Sequence, residues 1–295
     1  MYCEIATLGN KGRKLKVTDR ITKIVVGENE PDPFKYGGVY PPNVFLVRGE
    51  KTSVYIDTAH GKPEEIQKHV SVWESEGKPE IAGIILTHRH SDHIGGAQVL
   101  SEQLKAPVIS TSVEKIAIEK ESSAIVGITP QDGEQLDLGN ATIEFIHTPG
   151  HTMGSLCIYL KEDKVLFTGD NILGLGTTVI SPDEGNMTSY IKSLHKMLNY
   201  DIEKICPGHG PEIDSPIEKI HELIEHRHQR ELQMLELITS GKNSMDDIFN
   251  AIYKDIHPGL HNTARRQIQA HINKLIEEKR IEQSDKSDKI YRIVH

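Results

Sequence analysis

Four short segments limit what this chain can fold into more than any other feature: Thr87–Gly96 (THRHSDHIGG), Thr148–Ser155 (TPGHTMGS), Phe167–Gly174 (FTGDNILG) and Cys206–Pro211 (CPGHGP). Each places histidine or aspartate beside glycine, and each ends or follows a short β-branched run that reads as a strand. A fold that uses all four must bring four strand ends to one edge. The first segment holds His88, His90, Asp92 and His93 within six residues. Residues i and i+2 at the end of a strand point to the same side, so His88 and His90 can share one metal ion. Asp92 and His93 lie just beyond and can address a second position. Gly95 and Gly96 are expected to let the backbone turn tightly into the next helix. Imidazole and carboxylate suit zinc, and zinc sites are usually closed by distant residues. His151, Asp170 and His209 are the candidates.

Strand-like and helical runs alternate as far as about Pro211, which predicts an α/β layered body with a mixed sheet. Beyond it the pattern turns helical. Asp214–Ile238 reads as a long helix capped by Ser215, with Pro216 at its first position. Two more helices follow, then two short strands around a polar tip, an arrangement like a winged helix. We place the division near Ile213, giving 1–213 as the catalytic domain and 214–295 as the C-terminal domain. Glu30–Asn43 holds four prolines and two glycines and reads as a loop. Phe34 and Tyr36 make it a candidate lid, able to stack on a base or an acyl group. Thr177 and Thr178 follow Asp170 in a second candidate substrate loop.

Composition excludes some classes. There is no apolar run of about 18 residues, so no membrane partner is expected. The N-terminal residues lack an apolar leader core, and a cytoplasmic address is the expectation. Cys3, Cys157 and Cys206 are too few and scattered for a disulfide framework; Cys157 and Cys206 read as small buried residues. The net charge of −9 argues against wholesale wrapping of nucleic acid. Residues 257–295 nevertheless carry eight Lys/Arg against five Asp/Glu. Of the other histidines, His147 reads as structural, His60 as loop surface, and His195, His221, His226 and His228 as solvated helix positions.

The segments THRHSDH, TPGHT, TGD and PGHG together resemble the metallo-β-lactamase superfamily. GDNILGLGTT, YIKSL, CPGHGP and EHRHQRE, with the winged-helix-like tail, resemble its β-lactamase-like protein 2 branch. The resemblance implies an αββα sandwich with metals at one edge between two sheets. It implies that His88, His90 and His151 hold one zinc, that Asp92, His93 and His209 hold a second, and that Asp170 bridges them. Iron and manganese are the alternative metals. Asp57 would accept a hydrogen bond from a ligand histidine. The implied chemistry is hydrolysis by a hydroxide shared between two cations, with Asp92 orienting the water or taking its proton.

For the substrate, the branch and the basic tail favour single-stranded RNA. The alternatives are an acyl thioester, on a carrier protein, on coenzyme A or of the glyoxalase II kind, and persulfide oxidation at one iron. A nucleic-acid-binding module with a relict metal site is the non-enzymatic alternative, and a true β-lactamase ranks last. The oligomeric state is left open.

Overall fold

The computed structural model describes residues 14–26, 40–285 and 290–294. Seven strands form one sheet in chain order: β1 (Lys14–Lys16), β2 (Ile21–Val25), β3 (Asn43–Arg48), β4 (Ser53–Ile56), β5 (Ile81–Ile85), β6 (Val108–Ile109) and β7 (Val126–Ile128). β1 to β4 are antiparallel and β4 to β7 parallel. The parallel part needs crossovers, which α1 (Pro63–Ser75), α2 (Ser91–Ile94), α3 (Ala97–Leu104) and α4 (Ser112–Ser122) supply. A second sheet contains β8 (Gln135–Asp137), β9 (Thr142–His147), β10 (Leu156–Leu160), β11 (Val165–Gly169) and β12 (Lys204–Pro207), ordered β12-β11-β10-β9-β8. α5 (Met187–Met197) links β11 to its parallel neighbour β12.

β3 shows how the layers arise. Its residues are apolar on both faces, as a strand buried on both sides must be. Phe45 and Val47 face the second sheet, where they pack with Ile143, Phe145, Ile158 and Phe167. The Phe45 and Phe167 rings meet edge to face at 5.1 Å. Val44 and Leu46 face the other way, with Ile66 and Val72 of α1 and Leu100 of α3. The outer face of the second sheet packs Cys157, Leu166 and Ile205 against Tyr190 and Leu194 of α5. The result is helices, sheet, sheet, helices, the αββα sandwich expected above.

The C-terminal part comprises α6 (Pro216–Thr239), α7 (Met245–Tyr253), a 3-10 turn (Pro258–Leu260), α8 (His261–Glu277), β13 (Ile281–Asp285) and β14 (Ile290–Ile293). β13 and β14 pair antiparallel as the wing. α6 belongs to two cores. Ile220 and Leu223 pack with the second sheet, whereas Met234 and Ile238 pack with Phe249, Ile268, Ile272 and Tyr291. Ser215 stands at its N-cap, but its side chain accepts no cap hydrogen bond. The carbonyl of Ser215 takes the Lys219 N–H instead, so Pro216 alone carries the start signal. Among the described residues, no helix is long and apolar enough to cross a membrane.

Candidate metal centre

All four segments reach one edge of the sandwich. His88, His90, His151 and Asp170 place donor atoms within 4.8 Å of one another, and so do Asp92, His93 and His209. Asp170 joins the two sets. One oxygen, Oδ1, lies 3.4 Å from His93 Nε2 and 3.5 Å from His209 Nε2, and Oδ2 lies 3.9 Å from His151 Nε2.

The local route differs from the strand-face expectation. β5 ends at Ile85, and His90 is the N-cap residue of α2. His88 and His90 therefore converge from a turn beyond the strand, with His88 Nε2 3.0 Å from His90 Nδ1. The reason for the glycines also differs. Gly95 and Gly96 have ordinary negative φ, −60° and −90°. A Cβ at Gly95 would lie 2.1 Å from the His60 carbonyl oxygen, so glycine is needed for close approach of the Asp57–Gly61 turn.

Each imidazole is oriented by an acceptor outside the cluster. His93 Nδ1 donates to Asp57 Oδ2 at 2.7 Å. His151 Nδ1 donates to the Val179 carbonyl at 2.8 Å, and His209 Nδ1 donates to the Tyr40 carbonyl at 2.5 Å. Thr87 Oγ1 donates its proton to Asp57 and therefore accepts from His88 Nδ1 at 3.0 Å. His90 is reversed: Nε2 faces Glu184 Oε1 at 3.3 Å, leaving Nδ1 inward. In a neutral ring the nitrogen opposite the N–H carries a lone pair. Lone pairs consequently face each other across the centre. His93 Nε2 and His209 Nε2 are 3.1 Å apart, as are His90 Nδ1 and His151 Nε2.

The donor set fits divalent cations on three grounds. The facing lone pairs repel unless a cation lies between them. Asp170 Oδ1 is buried with no hydrogen-bond partner, a condition that asks for a ligand. With neutral rings, Asp57, Asp92 and Asp170 also concentrate negative charge. That charge attracts cations and protons alike: burial pulls the His93 imidazole pKa down, yet Asp57 and Asp170 hold it well above the usual range. Burial raises Asp170, but His93 and His209 outweigh it and hold the carboxyl well below its ordinary value. His88 falls well below, through burial and then the neighbouring imidazoles.

Asp57 closes the back of the centre. It sits at a positive φ of 60°, a conformation maintained only when its surroundings fix it. Its carboxylate accepts Thr87 N–H at 2.8 Å, the Thr87 hydroxyl at 2.9 Å and His93. Thr178 contacts the outer nitrogen of a donor histidine. It is buried, with Oγ1 3.1 Å from His151 Nδ1; Thr177 is half-buried beside it. Phe34 and Tyr36 lie outside the described residues. His147 bonds the Pro130 carbonyl at 3.0 Å, and His60, His195, His221, His226 and His228 are exposed. Cys157 and Cys206 are buried free thiols; burial pushes Cys157 up to about 11.

Three further residues carry the site without a mark in the sequence. Buried Glu114 on α4 takes Arg89 at 2.5 and 3.0 Å, the Thr152 hydroxyl at 2.9 Å and Gly154 N–H at 2.9 Å. It ties the His88–His90 turn to the His151 turn. Glu184 orients His90. Asn43 donates to the carbonyls of Pro207 and Gly210 at 2.9 and 2.8 Å and so frames His209.

Two facing sheets with histidine and aspartate donors at one edge define a metal-dependent hydrolase fold. Residues 37–209 match the Metallo-beta-lactamase superfamily and residues 244–289 the Beta-lactamase associated winged helix domain. The chain belongs to the metallo-beta-lactamase superfamily. It is 31% identical over 268 residues to a Beta-lactamase-like protein 2 homolog from Caenorhabditis elegans, covering 88% of this chain and 85% of that one. It is 27% identical to an Atrochrysone carboxyl ACP thioesterase from Aspergillus chevalieri, over 86% of this chain and 77% of the relative. A Beta-lactamase domain protein from Burkholderia ambifaria shares the fold, with TM-score 0.79, 18% identity and coverage of 98% of this chain and 96% of that one.

Proposed function

We propose that the chain is a dinuclear metal hydrolase acting on an acyl thioester. The observation that carries the substrate class is a set of exposed apolar side chains close to the donors in sequence. Met153, two residues after His151, is exposed, as are Leu175 and Val179 on the loop after Asp170. Among the described residues, three cations near the donors in sequence or space are engaged by carboxylates: Arg89 by Glu114, Arg266 by Asp183 and Lys23 by Glu212. A phosphodiester backbone calls for available positive charge, whereas an acyl chain calls for apolar surface. On this ground we rank the acyl thioester, the alternative in the sequence reading, ahead of RNA. The Aspergillus relative, an ACP thioesterase by name, agrees with this order.

In this reading His88, His90 and His151 would hold one zinc and Asp92, His93 and His209 the other, with Asp170 shared between the two sets. Bound divalent ions would supply Lewis acidity and a water acidified towards neutrality. Asp92 is the donor-set carboxylate most open to solvent, 3.3 Å from His209 Nε2. Burial raises its pKa, but His209 and His93 outweigh that and keep it ionised. It is placed to orient the attacking water and take its proton. Water adds to the thioester carbon, the C–S bond breaks, and the sulfur leaves as thiol.

A second reading, single-stranded RNA as substrate, rests on the winged-helix module and its exposed Lys254, Lys279 and Arg292. One panel separates the two: acyl-coenzyme A and acyl-carrier thioesters, lactones and single-stranded RNA, each with and without chelator. Thioester turnover lost on chelation and in Asp92→Ala is the expected result. Metal-dependent RNA cleavage with inert thioesters would replace the first reading by the second. One iron per chain, without hydrolysis, would favour the dioxygenase alternative.

A further inference from the structure

Within its set, His151 is held by the Val179 carbonyl of the loop after Asp170, and that stretch of the loop is held from the C-terminal helices. The Val179 carbonyl that accepts His151 Nδ1 lies between two anchored neighbours. Before it, Arg227 on α6 donates through Nη2 to the Thr178 carbonyl at 2.7 Å. After it, the Ile180 N–H donates to Gln267 Oε1 on α8 at 2.9 Å. Both side chains are buried, Arg227 at 2% exposure and Gln267 at 7%. Arg227 also lies over the Tyr190 ring at 5.4 Å, and Tyr190 donates its hydroxyl to the carbonyl of Asn171, next to Asp170.

A buried arginine is a costly way to hold one carbonyl, because its charge must be removed from water. A loop needing only a cover would be served by leucine. What arginine and glutamine add is direction. They fix peptide groups on both sides of Val179, and so set the carbonyl that determines which His151 nitrogen carries the proton and where the other points. Outer partners of this kind govern how well a ligand histidine serves its metal.

We propose that Arg227 and Gln267 are positioning residues for the metal position of His88, His90 and His151, so that the C-terminal helices form part of that position. The inference rests on the dinuclear reading above. It predicts an asymmetry, because His93 and His209 of the other set are oriented by Asp57, Tyr40 and Asn43, none of which lies on the C-terminal helices.

The test is zinc binding to the full chain against a competing chelator, with metal content measured after desalting. The parent should take two equivalents. Gln267→Leu removes the acceptor for Ile180 N–H, and one equivalent should weaken roughly 10- to 100-fold while the other is unchanged. Gln267→Glu keeps an oxygen acceptor and should restore most of the affinity. Arg227→Met should reproduce the asymmetric loss; should it fail to fold, the two Gln267 variants decide. Thermal unfolding of the metal-free proteins separates positioning from damage. If both equivalents weaken together in step with a lower Tm, or if neither weakens, the proposal is overturned. A parent that binds no divalent ion overturns the dinuclear reading and this inference with it. A parent with two tight equivalents and an unaffected Gln267→Leu variant overturns the inference alone.

Discussion

Two buried clusters in this molecule combine imidazole with carboxylate, and they settle their charge in opposite ways. In the C-terminal part Glu231 meets Lys274 at 2.8 Å, with His271 Nδ1 at 3.5 Å and Arg280 at 3.9 Å. Negative charge finds positive charge inside the protein. At the sheet edge the outward N–H groups are engaged by Asp57, Thr87, Val179, Tyr40 and Glu184. With the rings neutral, only acceptors face inward. Buried histidine near a carboxylate does not by itself announce a metal; the direction of the ring N–H does.

The largest effect that would break this contrast is at Asp170. Asp170→Asn removes the charge shared by both donor sets. Hydrolysis should fall on the order of 10³-fold, since metal stabilisation is worth several kcal/mol at 1.36 kcal/mol per decade. A loss below tenfold in kcat/KM, with Tm maintained, would mean that Asp170 does not bridge.

Next is the self-paired cluster. Glu231→Leu removes one of the two carboxylates on Lys274, leaving Glu278 at 2.8 Å, and should cost about 2 kcal/mol in urea unfolding. Chelator should leave that cost unchanged. Glu231→Leu with Lys274→Met should recover most of it, because an apolar pair of similar volume needs no compensation.

Acid should act on buried neutral imidazoles outside the centre. Burial holds His69 down at about 4, against about 6.5 in an unfolded chain. Burial likewise lowers His271, with Glu231 opposing and Arg227 assisting. Between those values the unfolded chain binds more protons, so stability is full above pH about 6.5 and is lost as pH falls towards 4. His69 alone amounts to about 3 kcal/mol over that window, at 1.36 kcal/mol per pKa unit. Urea midpoints measured in chelator should show the slope, and His271→Leu should reduce it without abolishing it. A flat profile would place both rings in water.

The smallest expected change is at Asp57. Asp57→Asn keeps an acceptor for His93 Nδ1 but removes the charge behind it. Zinc affinity at the Asp92–His93–His209 position should drop roughly 10- to 100-fold, read by chelator competition. An unchanged affinity would reduce Asp57 to a brace for Thr87.

The α/β layering and the donors were legible because their signals are local, whereas the αββα sandwich came with the family resemblance. Each donor lies within a few residues of a strand end and a glycine, so a single stretch reveals it. What holds the donors was not legible. Glu114 is one acid among several on a helix whose Val113 and Ile116 face solvent. Arg227 and Gln267 reach Thr178 and Ile180 across 49 and 87 positions, and nothing in EHRHQRE distinguishes the buried arginine from its solvated neighbours. β1, β7 and β8 have three residues each, too few for alternation to show. The direction of Thr178 and the reason for Gly95 depend on what packs against them, which no pattern along the chain contains.

The double membership of α6 has a consequence for how the molecule comes apart. A rod of 24 residues, about 36 Å long, carries the load of two cores at once, so neither can melt while the other keeps its share of the same backbone. Heating should give one calorimetric peak rather than two, and a protease should find no stable fragment ending within the helix.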